Sequence, residues 1–195
     1  MNIKITFTEP LLGTLAGDKE LATEYILGKR ENGVASDEVE ALNNTPEEVL
    51  EKATTIFAKD KEGVPMLWDY MIKGFFKDAC SMLRRVPGTK SSKVAAHKKI
   101  IDGLIFPAPR KIQINVVGDI KILERPLRAE TAQGPRIALA RSESIPAGSF
   151  ININVTCLDK KLEPLVREWL DYGALRGLGQ WRNGSYGRFM YEESE

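Results

Sequence analysis

The stretch GLGQWRNGSYGRF, Gly177–Phe189, gathers chemistry that a small chain seldom puts in one place. Gly177, Gly179, Gly184 and Gly187 free the backbone to take positive φ and to come close to a ligand. Successive amides in such a loop can form an anion nest. Arg176 just before it, with Arg182 and Arg188 inside it, can make charge-assisted contacts to phosphate. Trp181 and Tyr186 can stack on bases. The stretch lacks the phosphate-loop spacing, and it follows a helical pattern and precedes a strand pattern. It is therefore neither a P-loop nor a dinucleotide fingerprint. The competing reading is structural: Trp181 and Phe189 fold inward, and the glycines only permit a tight connection. Spacing alone leaves both readings open.

Other residues invite chemistry. Arg125, Arg128, Arg136 and Arg141 fall in one short window with Gln133 and Gly134 at a turn. A basic hairpin there can lie along a phosphate backbone. Glu124 and Glu130 support the plainer reading of a charged hairpin. RRVPGTKSSKVAAHKK, residues 84–99, places Arg84, Arg85, Lys90, Lys93, Lys98 and Lys99 in what reads as a mobile basic loop. His97, the one histidine, lies in that segment without an obvious partner and reads as solvated. Asp69 and Asp102 are the acids to weigh for metal-assisted cleavage, and neither has a second carboxylate close in sequence. No serine or cysteine triad pattern stands out.

Cys80 and Cys157 lie far apart with no CxxC, which argues against a structural zinc and for two reduced, buried thiols. No cofactor motif is present.

The chain has 195 residues and 43% hydrophobic content, enough for one domain or one domain with a large insertion. The net charge of +1 hides a division. Residues 1–62 carry −6, residues 63–141 carry +9 and residues 142–195 carry −2. The middle third can therefore present a basic surface. The start alternates rather than forming an apolar block, and no run approaches the roughly 20 apolar residues of a membrane span. The expected setting is cytoplasmic, with no membrane partner.

Elements must position these residues. Asn2–Thr8 alternates as a half-buried strand. A helix is expected from Asp18 to about Gly28, a turn at KRENG, and a helix at Pro46–Ala53. TTIFAKDKEGVPML reads as strand, turn and extended piece. The helix YMIKGFFKDACSMLRR carries a wide apolar stripe. Gly74 inside it suggests close approach of another backbone, because glycine costs a helix about 1 kcal/mol. GLIF, KIQINVV, IKILERPL, RIALARSE and SFININVTCL read as strands. KLEPLVREWLDYGAL reads as a helix, and YGRFMYE as a last strand. The order predicts an α+β chain: a ferredoxin-like or RRM-like βαββαβ core with insertions. The expected insertions are an acidic one near residues 31–62 and a basic loop and hairpin region near 84–141.

The helix, the glycine-rich loop and the strand after it resemble the C-terminal segment of the RAMP superfamily, the RNA-binding subunits of CRISPR effector complexes. VPMLWDYMIKGFFKDACSMLR, with Lys73–Gly74, is similar to the family's proline-led entry into a helix. SESIPAGSFININVTCL is similar to its Glu, Pro–Gly turn and strand, here Glu143, Pro146 and Gly148. IKITFTEPLLG suits its first strand and turn. These blocks make up about a third of the chain, and RPLRAETAQGPRIALARSE has no counterpart among them.

The resemblance implies one RAMP-like domain over residues 1–195 that holds RNA by its backbone. It brings Lys73 and Lys77 to the site, beside Arg176, Gly177, Gly179, Arg182, Gly184 and Gly187. It also implies self-association along the ligand and protein partners in a nucleoprotein complex, whether CRISPR-type or phage-encoded. The leading expectation is a non-catalytic binder of single-stranded RNA or DNA, RNA favoured. The alternatives are an endoribonuclease using His97 or Asp69, and a protein–protein module that mimics or caps such a complex.

Overall fold

A computed structural model describes residues 1–16, 54–131 and 134–194; for Ala16, 127–131 and 134–139 it gives the backbone course. The expected helices at 18–28 and 46–53, the KRENG turn, most of the acidic insertion and Gln133 lie outside the described residues.

The strands in chain order are β1 Asn2–Phe7, β2 Leu11–Leu12, β3 Leu15–Ala16, β4 Thr54–Ile56, β5 Ala58–Lys59 and β6 Pro65–Trp68. They continue as β7 Ile105–Ala108, β8 Lys111–Asn115, β9 Lys121–Thr131, β10 Gly134–Ile145, β11 Phe150–Cys157 and β12 Phe189–Ser194. The helices among the described residues are α1 Asp69–Leu83, α2 His97–Leu104 and α3 Glu163–Arg176. The chain is α+β, with sheets that are antiparallel except where β4 meets β10. It divides into two compact units.

The first unit holds residues 1–11, 67–118 and 146–195. Its sheet runs β12, β1, β11, β8, with β7 also on β11. In β-α-β-β-α-β terms that is strand order four, one, three, two, a ferredoxin-like core. Ile3 pairs with Ile153 and Ile5 with Ile151, and on the other side Phe7 pairs with Phe189. Period-two alternation sends Ile3, Ile5, Phe7, Ile151, Ile153 and Val155 to one face, where all are buried.

Helices α1 and α3 supply the matching stripes, Ile72, Phe75, Phe76, Ala79 and Cys80 from one, Leu165, Val166, Trp169 and Leu170 from the other. Phe76 meets Trp169 at 5.5 Å and Phe75 meets Phe189 at 5.3 Å between ring centroids. Burying a large apolar side chain such as Phe189 contributes about 1.5–3 kcal/mol. The helix that needs a glycine is α3: a Cβ on Gly173 would sit 2.1 Å from the Phe189 ring. Gly74 has nothing within 4 Å of such a Cβ, so the expected close backbone approach there is absent.

The second unit holds residues 12–66 and 119–145. Its main feature is the β9–β10 hairpin, in register from Lys121 opposite Ser144 to Thr131 opposite Gly134. β4 joins β10 in parallel at Thr54 and Thr55, and β3 joins β4 antiparallel. Glu143, a residue of the family-like block, is 3% exposed here. One of its oxygens meets Lys59 Nζ at 2.9 Å and the other accepts from the Phe57 N–H at 2.8 Å. A buried carboxylate needs such partners to stay charged. Among the described residues no helix is long and apolar enough to cross a membrane.

Candidate nucleic-acid interface

Helix α3 begins with Pro164 in its first turn and ends where Gly177 takes φ 78°. From there to β12 the chain forms the glycine-rich loop, entirely within the first unit. The stem of the loop is held by backbone: the Leu178 N–H donates to Gly187 O at 2.8 Å, and the Gly187 N–H to Pro10 O at 2.8 Å. A Cβ on Gly177 would lie 2.4 Å from Tyr186 O, and one on Gly187 would lie 2.0 Å from Leu178 O. Both glycines have positive φ. They are therefore required by the protein's own backbone, as the structural reading of the loop expected. Phe189 turns fully inward, and Trp181 is only half-buried.

The tip is different. Arg182–Gly184 forms one 3-10 turn, flanked by Trp181 at φ 54° and Ser185 at φ 71°. A left-handed conformation at a bulky residue costs roughly 1–2 kcal/mol. Trp181 and Tyr186 stack on each other, 5.3 Å between centroids and 11° between planes. They form one aromatic plate instead of two separate platforms.

The loop's arginines divide into two kinds. Arg176 Nε donates to Asp78 Oδ2 at 2.9 Å, and its Nη1 donates to Asn183 Oδ1 at 2.9 Å. Arg182 Nη1 donates to the same Asp78 oxygen at 2.7 Å. The Asp78 carboxylate raises the Arg176 pKa further above its usual range. These two arginines thus clamp the loop to α1, and the trio keeps one net positive charge. Arg188 has no carboxylate partner among the described residues, and its Nε is buried without a hydrogen bond. Its backbone carbonyl accepts from the Thr8 and Glu9 N–H groups, which fixes it at the root of the loop. Sequence reasoning missed Asp78. The signal was an acid in the later turns of a helix, where its charged neighbours Lys73 and Lys77 are basic.

Lys73 and Lys77 converge on α2. Lys77 forms an ion pair with Asp102, while Lys73 donates to the Asp102 carbonyl at 3.3 Å and lies 4.6 Å over the Phe106 ring. Asp69 opens α1 and accepts from the Tyr70 N–H at 2.8 Å. Among the described residues no three His, Cys, Asp or Glu side chains group to hold a metal. Both cysteines are free; Cys80 is buried and Cys157 half-buried, and burial pushes both thiols up.

His97 is not solvated. It is 9% exposed, and Arg84 Nη1 stands 3.0 Å from its Nδ1. The basic segment around it is tied down rather than left as a free loop. Glu168 accepts from the Lys90 and Ser91 N–H groups and from the Ser91 hydroxyl, and Trp169 Nε1 donates to Ser91 Oγ.

Arg125, Arg128 and Arg136 belong to the second unit. Arg125 is opposite Ala140 and only 8% exposed, so it is not the open phosphate contact expected. Arg141 pairs across the hairpin with Glu124 at 2.7 Å. Arg128 and Arg136 stand opposite Ile137 and Ala129.

No family model matches the chain, and no curated protein matches it. Solved structures do. A chain in the cryo-EM structure of the type III-B Cmr-β bound to cognate target RNA superposes with a TM-score of 0.53 at 14% identity, over 100% of this chain and 58% of that one. This chain shares that fold. It spans 58% of the matched chain's length. Cmr6 from Pyrococcus furiosus gives 0.47 at 11% identity, over 99% of this chain and 97% of the other. A chain of a type IV-B CRISPR complex gives 0.48 at 10%, over 98% and 88%.

Proposed function

We propose that this chain is a RAMP-like, non-catalytic subunit of a CRISPR-type nucleoprotein complex, and that it grips single-stranded RNA by the backbone through its glycine-rich loop. The observation that carries the reading is Arg188. It is a half-buried guanidinium with an unpaired Nε, held at the root of a loop whose tip carries an aromatic plate and strained backbone. Strain of this kind persists where the surroundings over-determine it, and it clusters at ligand-holding sites. A phosphate supplies the acceptor that Arg188 lacks. In this reading a base stacks against the Trp181–Tyr186 pair. Arg176 and Arg182 hold the loop in shape and contribute their shared excess charge. Lys73 and Lys77 line the neighbouring side of α1. The second unit is taken as an insertion in one RAMP-like domain, with Arg128 and Arg136 as further phosphate contacts. Head-to-tail assembly on RNA follows from the same reading.

The test is fluorescence anisotropy with mixed-sequence single-stranded RNA and DNA at about 50 and 200 mM salt. RNA binding that weakens with salt, exceeds DNA binding and is reduced in Arg188→Gln supports the reading. An Arg188→Gln protein that binds as the parent does removes the loop from it. No RNA binding at the lower salt sends the search to a protein partner.

A further inference from the structure

We propose that the first turn of α2, framed by Arg84, His97 and Lys98, is a second phosphate-binding site for the RNA strand, separate from the glycine-rich loop. The inference rests on the RNA-binding reading above and names a further site for the same ligand.

Residues 84–99 hold six cations and no carboxylate. Arg84, Arg85, Lys90, Lys93, Lys98 and Lys99 are all exposed. None of the six forms an ion pair among the described residues. A segment of this charge would normally be loose, yet it is stapled from beneath. Ser91 is fully buried and bonds to Glu168 and Trp169 of α3, and Thr89 Oγ1 donates to Leu83 O at 2.9 Å. Glu168 is the carboxylate that reaches this segment, where its oxygens are engaged by two backbone N–H groups and a hydroxyl and its charge interacts with that of Lys90. The staple therefore fixes the backbone that carries the cations, and it forms no ion pair with Arg84 or Lys98.

Helix α2 opens in the middle of this charge. Ala96 precedes it at φ 49° and gives no side-chain cap, and the first turn contains no acid. The first N–H groups of a helix have no carbonyl to meet within it. They carry the positive end of the helix dipole, where an anion is favoured.

The second observation is His97 itself, the first residue of the helix. A guanidinium can only donate, so Nδ1 accepts from Arg84 and the proton of the neutral ring sits on Nε2. That Nε2 is buried and has no partner. Unpaired buried donors are rare, and each calls for an explanation. Lys99 and Ile100 both donate their N–H to Ala96 O, so the open groups of the first turn are the His97 and Lys98 N–H. In the complex a phosphate oxygen displaces the cover over the ring edge and meets the Nε2–H with these two, and Arg84 and Lys98 balance its charge.

The single histidine makes the test direct. In ¹H–¹³C and long-range ¹H–¹⁵N spectra of the whole chain, the His97 ring gives one set of signals. A short single-stranded oligouridylate should shift them, with Nδ1 remaining the acceptor in the free protein. Arg84→Gln and Lys98→Glu should each weaken RNA binding and lower the log–log salt slope by about 0.7 or more, since a phosphate contact is lost. Lys98 is exposed, so its variant keeps the test open if Arg84→Gln folds poorly.

The inference is overturned if RNA binds while the His97 signals stay fixed and Lys98→Glu binds as the parent does. The glycine-loop reading survives that outcome. Signals that move with inorganic phosphate but not with oligouridylate also overturn it, because the site then takes small anions only. Absence of any RNA binding at low salt removes both readings.

Discussion

Single residues decide how much of the loop's charge is available. Asp78 holds Arg176 and Arg182 on one oxygen, so its removal strands two part-buried guanidinium groups. Hydrogen bonds to charged groups contribute about 1.5–3 kcal/mol each when intact. Asp78→Ala is expected to lower stability by about 1–3 kcal/mol in urea unfolding. A midpoint equal to the parent's would mean the clamp is decorative. His97 belongs to the same scale. Burial first, then the Arg84 and Lys98 charges, hold its imidazole below the ordinary 6.5. Above that value the folded and unfolded chains both carry it neutral. As pH falls through 6.5 the unfolded chain takes the proton first, so stability drops until the folded pKa is passed. Urea midpoints across that window should fall in the parent and flatten in His97→Gln. An unchanged slope would mean that His97 does not set it. Neither environment was legible in the sequence. Asp78 and Arg176 are 98 positions apart, and a lone histidine among lysines gives no sign of a roof over it.

Elements were easier to read. The long alternations NIKITF and FININVTC and the apolar stripes of α1 and α3 each have one period and one way to bury their face. Turn chemistry at Pro146–Gly148 and Lys61–Gly63 marked the breaks between them. The glycine-rich loop was located as an element, yet the division of labour among its glycines was hidden. The glycines look alike in a sequence, while Gly177, Gly184 and Gly187 each answer to a different neighbour. Gly187→Ala forces a Cβ onto Leu178 O at φ 69°. Backbone strain alone costs about 1–3 kcal/mol there, and the clash adds to it. Gly184→Ala meets only the Tyr186 and Trp181 rings, at 3.4 Å or more. Thermal unfolding should separate the two, with a clear drop in the first and little change in the second. Equal losses would show that the tip is as tightly built as the stem. The hairpin β9–β10 was also legible as paired strands, whereas the hairpin's own sequence gives no sign that Arg125 is buried.

At the scale of the whole chain, the α+β class followed from the order of elements. The ferredoxin-like core was named from that order too, and the strand order four, one, three, two agrees with it. What the sequence left open is the register by which β1 and β12 join its opposite ends. Electrostatics at this scale is nearly balanced, with a net charge of +1. Under the proposed function, long-range attraction of RNA by the molecule as a whole is therefore weak, and local contacts are expected to carry the salt dependence. Three to five phosphate contacts imply a log–log slope of about −2 to −3.5 for a single strand. A titration across several salt concentrations gives the number directly. A slope near zero would mean that stacking, not charge, holds the strand.

The stacked pair at the loop tip gives the molecule an optical window on its own glycine-rich loop. Of the three tryptophans, Trp68 and Trp169 are 4% and 0% exposed, so their emission belongs to the core. Trp181 is half-buried and lies against Tyr186. Fluorescence excited at the red edge and quenched by acrylamide reports chiefly on that one indole. Under the proposed function, a strand that enters the loop changes that emission before any label is attached.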